Sequence, residues 1–276
     1  MPSCRNVLLL LVSLVGLACG GSATAWTERG DELLLDNDLL GAEAAYNRAI
    51  AIEPHHAPAL YGKGWALYAS GFETLRPVAR QLFQRAIEYQ PEFFGGYRGK
   101  GVLLLESGQV IAAETLLRSA FEKDPEEPGV LASLGQLYLQ AGRLQEAEQL
   151  FTRALELRPG RGELRRYLAE VELAREDVAA AMQQIERGRD GQVSGRRGGL
   201  VLDEGEERVL LESARLLLEN RVEGDVSDLA EASRALKRAR SLLNSSGGPG
   251  MSSAPIEQRR RYHEVLARRL KDRQKP

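Results

Sequence analysis

Between Trp26 and Pro159, apolar residues recur three and four positions apart, the spacing of one face of an α-helix, and polar residues fill the opposite face. The stripes come in pairs with a short polar break between them, which predicts helical hairpins. The pattern also returns along the chain. Small residues stand at Gly30, Gly64, Gly101, Gly135 and Ala169, and a second series runs Ala42, Ala79, Ala113, Ala147, Ala181. Larger residues follow at Tyr46, Phe83, Leu117, Phe151 and Ile185, then Ala49, Ala86, Ala120 and Ala154, and finally Pro54, Pro91, Pro125 and Pro159. Nearly every step is 34 residues, but Gly64 to Gly101, Ala42 to Ala79 and Pro54 to Pro91 are each 37. Three extra residues therefore precede Ala79, in the turn around 71–77 between the helices of the second unit.

Each unit reads as an apolar residue, Gly or Ala at the eighth position, Ala at the twentieth, a large residue at the twenty-fourth, Ala at the twenty-seventh and a closing Pro. The fourth unit shows it in full, with Leu131, Leu134, Gly135, Tyr138, Ala147, Phe151, Ala154 and Pro159. Small residues let the two helices of a hairpin approach, and the large residue fills the space between hairpins. The proline cannot sit inside a helix and starts the next unit. A single hairpin cannot bury its stripe, whereas stacked hairpins share a core. In period and typed positions the chain resembles the tetratricopeptide repeat (TPR) family over 23–161. The resemblance implies an all-α fold, a right-handed superhelical solenoid of helix-turn-helix hairpins. Five hairpins are expected at 23–56, 57–93, 94–127, 128–161 and 162–195.

The fifth unit keeps Leu168, Ala169, Ala181 and Ile185 but has Arg165 at an apolar position and lacks the closing Pro. The Gly-rich basic stretch at Gly188, Gly191, Gly195, Gly198 and Gly199 predicts a loop. A degenerate sixth hairpin is expected at 196–244, with helices over 204–220 and 227–243. A linker is expected at 245–255, then a basic capping helix over 256–276. That helix carries Tyr262, Val265, Leu266 and Leu270 close to one face and Arg259, Arg260, Arg261, Arg268, Arg269 and Arg273 elsewhere.

Residues 1–25 read as a targeting segment: Arg5 precedes an apolar stretch over Val7–Ala18, short for a membrane span. Two exits compete. Ala23-Thr24-Ala25 is an A-x-A cleavage site that would release a soluble protein. Gly16-Leu17-Ala18-Cys19-Gly20 resembles the lipobox of bacterial lipoproteins, which implies lipidation of Cys19, with Gly20-Gly21-Ser22 as a tether. A retained anchor is the third alternative. The address is then the bacterial outer membrane facing the periplasm, or the soluble periplasm.

The formal charge is −2. Residues 221–276 hold 13 Lys+Arg against 7 Asp+Glu, a net +6, so the remainder carries −8. The basic end suits a solvated capping helix, or contact with anionic lipid or an acidic partner; nucleic acid does not suit an exported chain. No nucleophile–base set stands out, so the chain reads as no enzyme. His55 and His56 are neighbours in a turn, His263 lies among arginines, and no Cys/His spacing suits a metal. Gly99-Lys100 lacks the rest of a phosphate loop. No cofactor is implied.

Binding is what the resemblance implies. In this family the inner surface is lined by first-helix positions 2, 5, 9, 12 and 13. Here these include Asp31 and Leu34, then Tyr61, Trp65 and Tyr68 on one face of the second unit, then Arg98, Val102 and Leu105, and later Gln136, Leu139, Arg166 and Glu170. Exposed aromatics beside an arginine suit an extended peptide or a partner helix; alternatively the rings pack beneath the insertion. No Asn/Lys carboxylate lattice is present at the ninth positions. The function implied is a protein-interaction scaffold of the bacterial envelope. Similar outer-membrane repeat lipoproteins help assemble envelope machines, including the secretin pores of type IV pili. A soluble periplasmic adaptor or chaperone and an accessory regulator of a cell-wall enzyme are the alternatives.

Overall fold

A computed structural model of the protein describes residues 21–192, 209–215, 226–245 and 253–273. Contacts divide the chain into two units, one up to Ser133 and one from Leu134 on. The first holds α1 (Ala23–Leu35), α2 (Leu39–Ile52), α3 (Ala57–Ala69), a 3₁₀ turn (Glu73–Leu75), α4 (Arg76–Tyr89), α5 (Phe94–Glu106), α6 (Val110–Lys123) and the start of α7 (Pro128–Gln140). The second holds the rest of α7, then α8 (Leu144–Leu157), α9 (Gly162–Ala174), α10 (Val178–Gln192), a helical stretch at 209–215, α11 (Val226–Ser245) and α12 (Ser253–Arg273). The described residues contain no strand, and no helix among them is long and apolar enough to cross a membrane.

Local chemistry sets the helix ends. The Ser22 and Asp38 side chains accept from the backbone N–H groups of Ala25 and Gly41, capping α1 and α2. In the first four hairpins the second helix stops at a residue that precedes proline: Glu53, Gln90, Asp124 and Arg158 lie at φ between −145° and −134°. The proline ring crowds the preceding residue out of helical backbone space.

Between the two helices of each hairpin, one residue turns left-handed. The series is Asn37, Gly71, Gly108, Gly142 and Glu176, with φ between 60° and 75°. At four of them the following two N–H bonds close the helix in a Schellman pattern, as with Gly108 N to Leu105 O (3.0 Å) and Gln109 N to Leu104 O (2.9 Å). Gly71 begins the same closure, donating to Tyr68 O at 3.2 Å. The Leu67 carbonyl is then taken by Ser70 Oγ, and the chain runs on into the 3₁₀ turn. The insertion thus begins just after Gly71, inside the interval its spacing predicts.

Within a hairpin, the large twenty-fourth residue is wedged against glycine. A Cβ at Gly30 would fall 2.5 Å from the Tyr46 ring, one at Gly64 equally close to Phe83, and one at Gly135 2.6 Å from Phe151. Tyr46 and Phe83 also press on the next hairpin, at Gly62 and Gly99. The large residues therefore fill the space between hairpins, as the repeat pattern implies.

The second unit departs from the sequence reading in three places. Helix α10 continues through Gly188 and Gly191 to Gln192, where the glycines predict a loop; Gly195, Gly198 and Gly199 lie outside the described residues. Helix α12 begins at Ser253 rather than 256. It buries His263, Leu266 and Leu270 and leaves Tyr262 and Val265 exposed. The sealing face is rotated because His263, not Tyr262, faces inward, its Nε2–H donating to Leu236 O at 2.9 Å. Leu266 and Leu270 share a core with Val178, Leu210, Ala214, Leu236 and Ala239, so α12 closes this unit as a capping helix.

Two outcomes follow. Glu176→Gly relieves the left-handed strain at the one charged member of the turn series, raising stability by about 1 kcal/mol in urea unfolding. Leu266→Ala opens a cavity in the core that α12 closes and lowers stability by about 2–5 kcal/mol in the same assay; no loss there would show that α12 is not part of this core.

Candidate partner-binding face of the N-terminal unit

The residues that the sequence pattern assigns to the inner face of the second and third hairpins come together in one layer. Tyr61 and Trp65 project from α3, and Arg98 projects from α5. The Arg98 Nε–H is shared between Gly129 O (2.8 Å) and Ser133 Oγ (3.0 Å) at the start of α7, and Nη1 donates to the Tyr61 hydroxyl. The Ser133 hydroxyl in turn donates to Gly129 O at 2.8 Å. The guanidinium carbon lies 4.3 Å from the centre of the Trp65 ring, a cation–π distance. One side chain therefore links the first helices of three successive hairpins.

Glycine makes the room. A Cβ at Gly129 would sit 2.8 Å from Arg98 Cζ, and one at Gly95 would meet Tyr61 Cγ at the same distance. These two glycines occupy the second position of their units, and a reading by residue type passes over them.

The rings are less open than the spacing suggests. Tyr61, Trp65 and Tyr68 are half-buried and pack on the cluster of Leu60, Leu67 and Phe83, together with Phe93 and with Leu75 from the insertion. Tyr61 meets Trp65 at 6.0 Å and Phe93 at 5.5 Å, and Trp65 meets Tyr68 at 5.0 Å, all nearly edge to face. The expectation of exposed aromatics is corrected to this extent: an aromatic side chain of this size next to the apolar wedge gains more by leaving water than by facing it. The Tyr68 hydroxyl donates to Glu106, which also receives Arg76 Nη1 at 2.7 Å, so the end of the insertion is tied to the end of α5.

Val102 and Leu105, placed on the open face by their spacing, are buried, because α5 lies between α3 and the start of α7. Burial pushes the Tyr61 hydroxyl above its ordinary pKa, and the Arg98 charge pulls against it. The phenol thus stays neutral and accepts from Arg98.

The remaining candidates belong to the second unit. Gln136 is half-buried on α7. Arg166 pairs with Glu170 on its own helix at 2.5 Å, with the two side chains only 12% and 16% exposed, and lies over the Tyr167 ring. Its charge is thereby matched, although Nε has no acceptor. Tyr167 donates to Glu163 at 2.8 Å and stacks on Phe151. Asp31 accepts from the Tyr46 hydroxyl at 2.7 Å. Cys19 lies outside the described residues. Among the described residues no group of three or more His, Cys, Asp or Glu is placed to hold a metal.

Family models described as tetratricopeptide repeat match residues 76–128 and 100–161, and a further one matches 138–193. Residues 76–193 are thus tetratricopeptide repeats. The fold of the chain resembles a structure solved for the functional characterisation of PilF of Pseudomonas aeruginosa, at 19% identity and a TM-score of 0.56. That match covers 89% of this chain and 97% of the other. It also resembles TTC0263, a thermophilic TPR protein of Thermus thermophilus, at 20% identity and a TM-score of 0.55, over 71% of this chain and all of that one. A third likeness, at 17% identity and a TM-score of 0.65, is to a chain of the anaphase-promoting-complex hetero-tetramer Cut9–Hcn1. It covers 96% of this chain but only 46% of that longer one. At these identities the likeness concerns the fold alone. No curated protein is similar to this chain at the level of sequence.

Arg98→Met keeps much of the stem volume but removes the bonds to Tyr61, Gly129 and Ser133. The expected loss is about 1.5–3 kcal/mol in urea unfolding, with a shift in Trp65 emission as the cation leaves its ring. Unchanged stability would mean that the three hairpins are not joined through this side chain.

Proposed function

We propose that this protein is a non-enzymatic scaffold of the bacterial envelope that docks a segment of a partner protein on the inner face of its N-terminal unit. The tetratricopeptide repeat supports the general part of this reading, since such repeats serve as protein-interaction surfaces. The observation that carries the docking site is the layer of Tyr61, Trp65 and Tyr68 with Arg98 held over it. Half-buried rings anchored by an arginine are the composition of interface hot spots. The layer is also preorganised, so a partner loses little entropy in ordering it.

For the address, the start of α1 favours one exit over the other. Ser22 caps the helix, Ala23 is buried against Tyr46 and Ala49, and the Thr27 hydroxyl bonds to Ala23 O at 2.8 Å. Cleavage after Ala25 removes all three, at a cost of about 1 kcal/mol for the cap alone. Processing at Cys19 keeps them and leaves two glycines between the lipidated residue and the cap. The proposed protein is therefore a lipid-anchored one at the outer membrane, facing the periplasm. The soluble periplasmic reading rests on Ala23-Thr24-Ala25.

In cells, metabolic palmitate labels the wild-type protein and not Cys19→Ser, and globomycin causes the unprocessed form to accumulate; a mature chain beginning at Trp26 would select the soluble reading. A photo-crosslinker at position 34, on the inner face, captures a partner protein, whereas one at the exposed position 153 of α8 does not. Equal capture from both positions would remove the inner face as the docking site.

A further inference from the structure

Arg98 is held firmly but its charge is unmatched. Its contacts are Tyr61 Oη, Gly129 O, Ser133 Oγ and the Trp65 ring, all neutral, and no carboxylate pairs with it among the described residues. The nearby acid, Glu127, accepts from Gly129 N–H at 3.3 Å and forms no ion pair with Arg98. On the same repeats Arg76 is matched by Glu106, Lys63 by Glu43 and Lys123 by Glu92, whereas Lys100 and Arg85, like Arg98, reach neutral acceptors, Gln84 and Pro54 O. A guanidinium has five N–H donors in a rigid fork. Here Nε and one hydrogen of Nη1 are used, so both hydrogens of Nη2 and the second of Nη1 are left. The Trp65 Nε1–H, in the same layer, is buried and has no acceptor.

We propose that the segment docked on this face is acidic, with a side-chain carboxylate received by the free edge of Arg98 and apolar neighbours lying against the Tyr61, Trp65 and Tyr68 rings. The inference rests on the inner face being the docking site and adds the chemistry of the occupant. A carboxylate suits the site better than a backbone carbonyl because the fork geometry matches two oxygens, and a charge-assisted pair completes what three neutral acceptors leave unneutralised. Because the guanidinium is already fixed by Tyr61, Gly129 and Ser133, it loses little freedom on binding. A lysine here would lack the second and third bonds that hold the fork in place.

The two tryptophans of the chain, Trp26 and Trp65, allow a direct test. In the full-length Trp26→Phe protein, Trp65 is the sole indole emitter and reports on this layer. The probes are a capped ten-residue peptide of alternating Glu and Leu, its Gln-for-Glu counterpart, and that counterpart with a free C-terminal carboxylate. The Glu peptide should bind about tenfold more tightly than the capped Gln peptide at low salt, the effect of one charge-assisted pair. The preference should shrink as salt rises through about 0.5 M. Arg98→Gln, shown to be folded by circular dichroism, should abolish it. Equal binding of the capped Glu and Gln peptides overturns the acidic occupant while leaving the docking face standing, because both peptides would still shift Trp65. A preference that survives in Arg98→Gln also overturns it, as does tight binding only with the free C-terminus, which would assign the face to chain ends. No Trp65 response to any peptide overturns it too, and position 34 crosslinking then decides whether the face docks a partner at all. Should Arg98→Gln unfold, the carboxylate-to-amide ratio and its salt dependence in the wild-type layer remain decisive.

Discussion

Stacking in this protein depends on a large side chain meeting a residue without one. Tyr46 is fully buried, yet its own hairpin supplies only part of the cover; the rest comes from Gly62 on the next hairpin. Phe83 is related to Gly64 and Gly99 in the same way. Burying such a ring stabilises by about 1.5–3 kcal/mol, and only part of that contact exists within one hairpin. Each hairpin is therefore incomplete alone, the physical content of a repeat array. The wedge also fixes the distance between successive first helices. Only at that distance can one arginine on α5 reach Tyr61 on α3 and Ser133 on α7 together.

Much of this was legible in the residue types. Volume constraints leave typed residues at regular positions, so the hairpins, their closing prolines and the insertion before Ala79 could all be read from spacing. Conformation leaves a fainter trace. The left-handed turn residues share a backbone angle but not an identity, running Asn37, Gly71, Gly108, Gly142, Glu176, and a search by residue type does not connect them. Gly188 illustrates the opposite failure. Glycine and charge predict a loop there, but α10 is held as a helix by Ala181 and Ile185 in the core, and tertiary burial overrides propensity.

The candidate site was legible in membership but not in state. Helical spacing correctly puts Tyr61, Trp65 and Tyr68 on one side of α3, because that depends on one helix. How open they are depends on Phe93, on Leu75 and on where Arg98 reaches, which are relations between helices. The same limit explains Val102 and Arg166: the first is covered by neighbours, and the second is matched by Glu170 one turn away. Gly95 and Gly129 were invisible for a related reason, since a missing side chain acquires meaning only once the group that fills its space is known.

Stacking and binding are carried by the same atoms at Arg98. Its bonds to Tyr61, Gly129 and Ser133 join three hairpins, and its remaining donors face the proposed occupant. A ligand that binds the folded array and not the unfolded chain stabilises it in proportion to the logarithm of its concentration over Kd. An acidic segment on Arg98 would do so at the junction itself, since neutralising the guanidinium removes the charge that opposes its partial burial. Loss of that segment would loosen the contact between α3, α5 and the start of α7 before the wedges at Tyr46 and Phe83 are disturbed. Occupancy and the order of these three hairpins are then linked quantities, and the insertion matters because Arg76 and Tyr68, both on Glu106, hold the far end of α5 while Arg98 holds the near end.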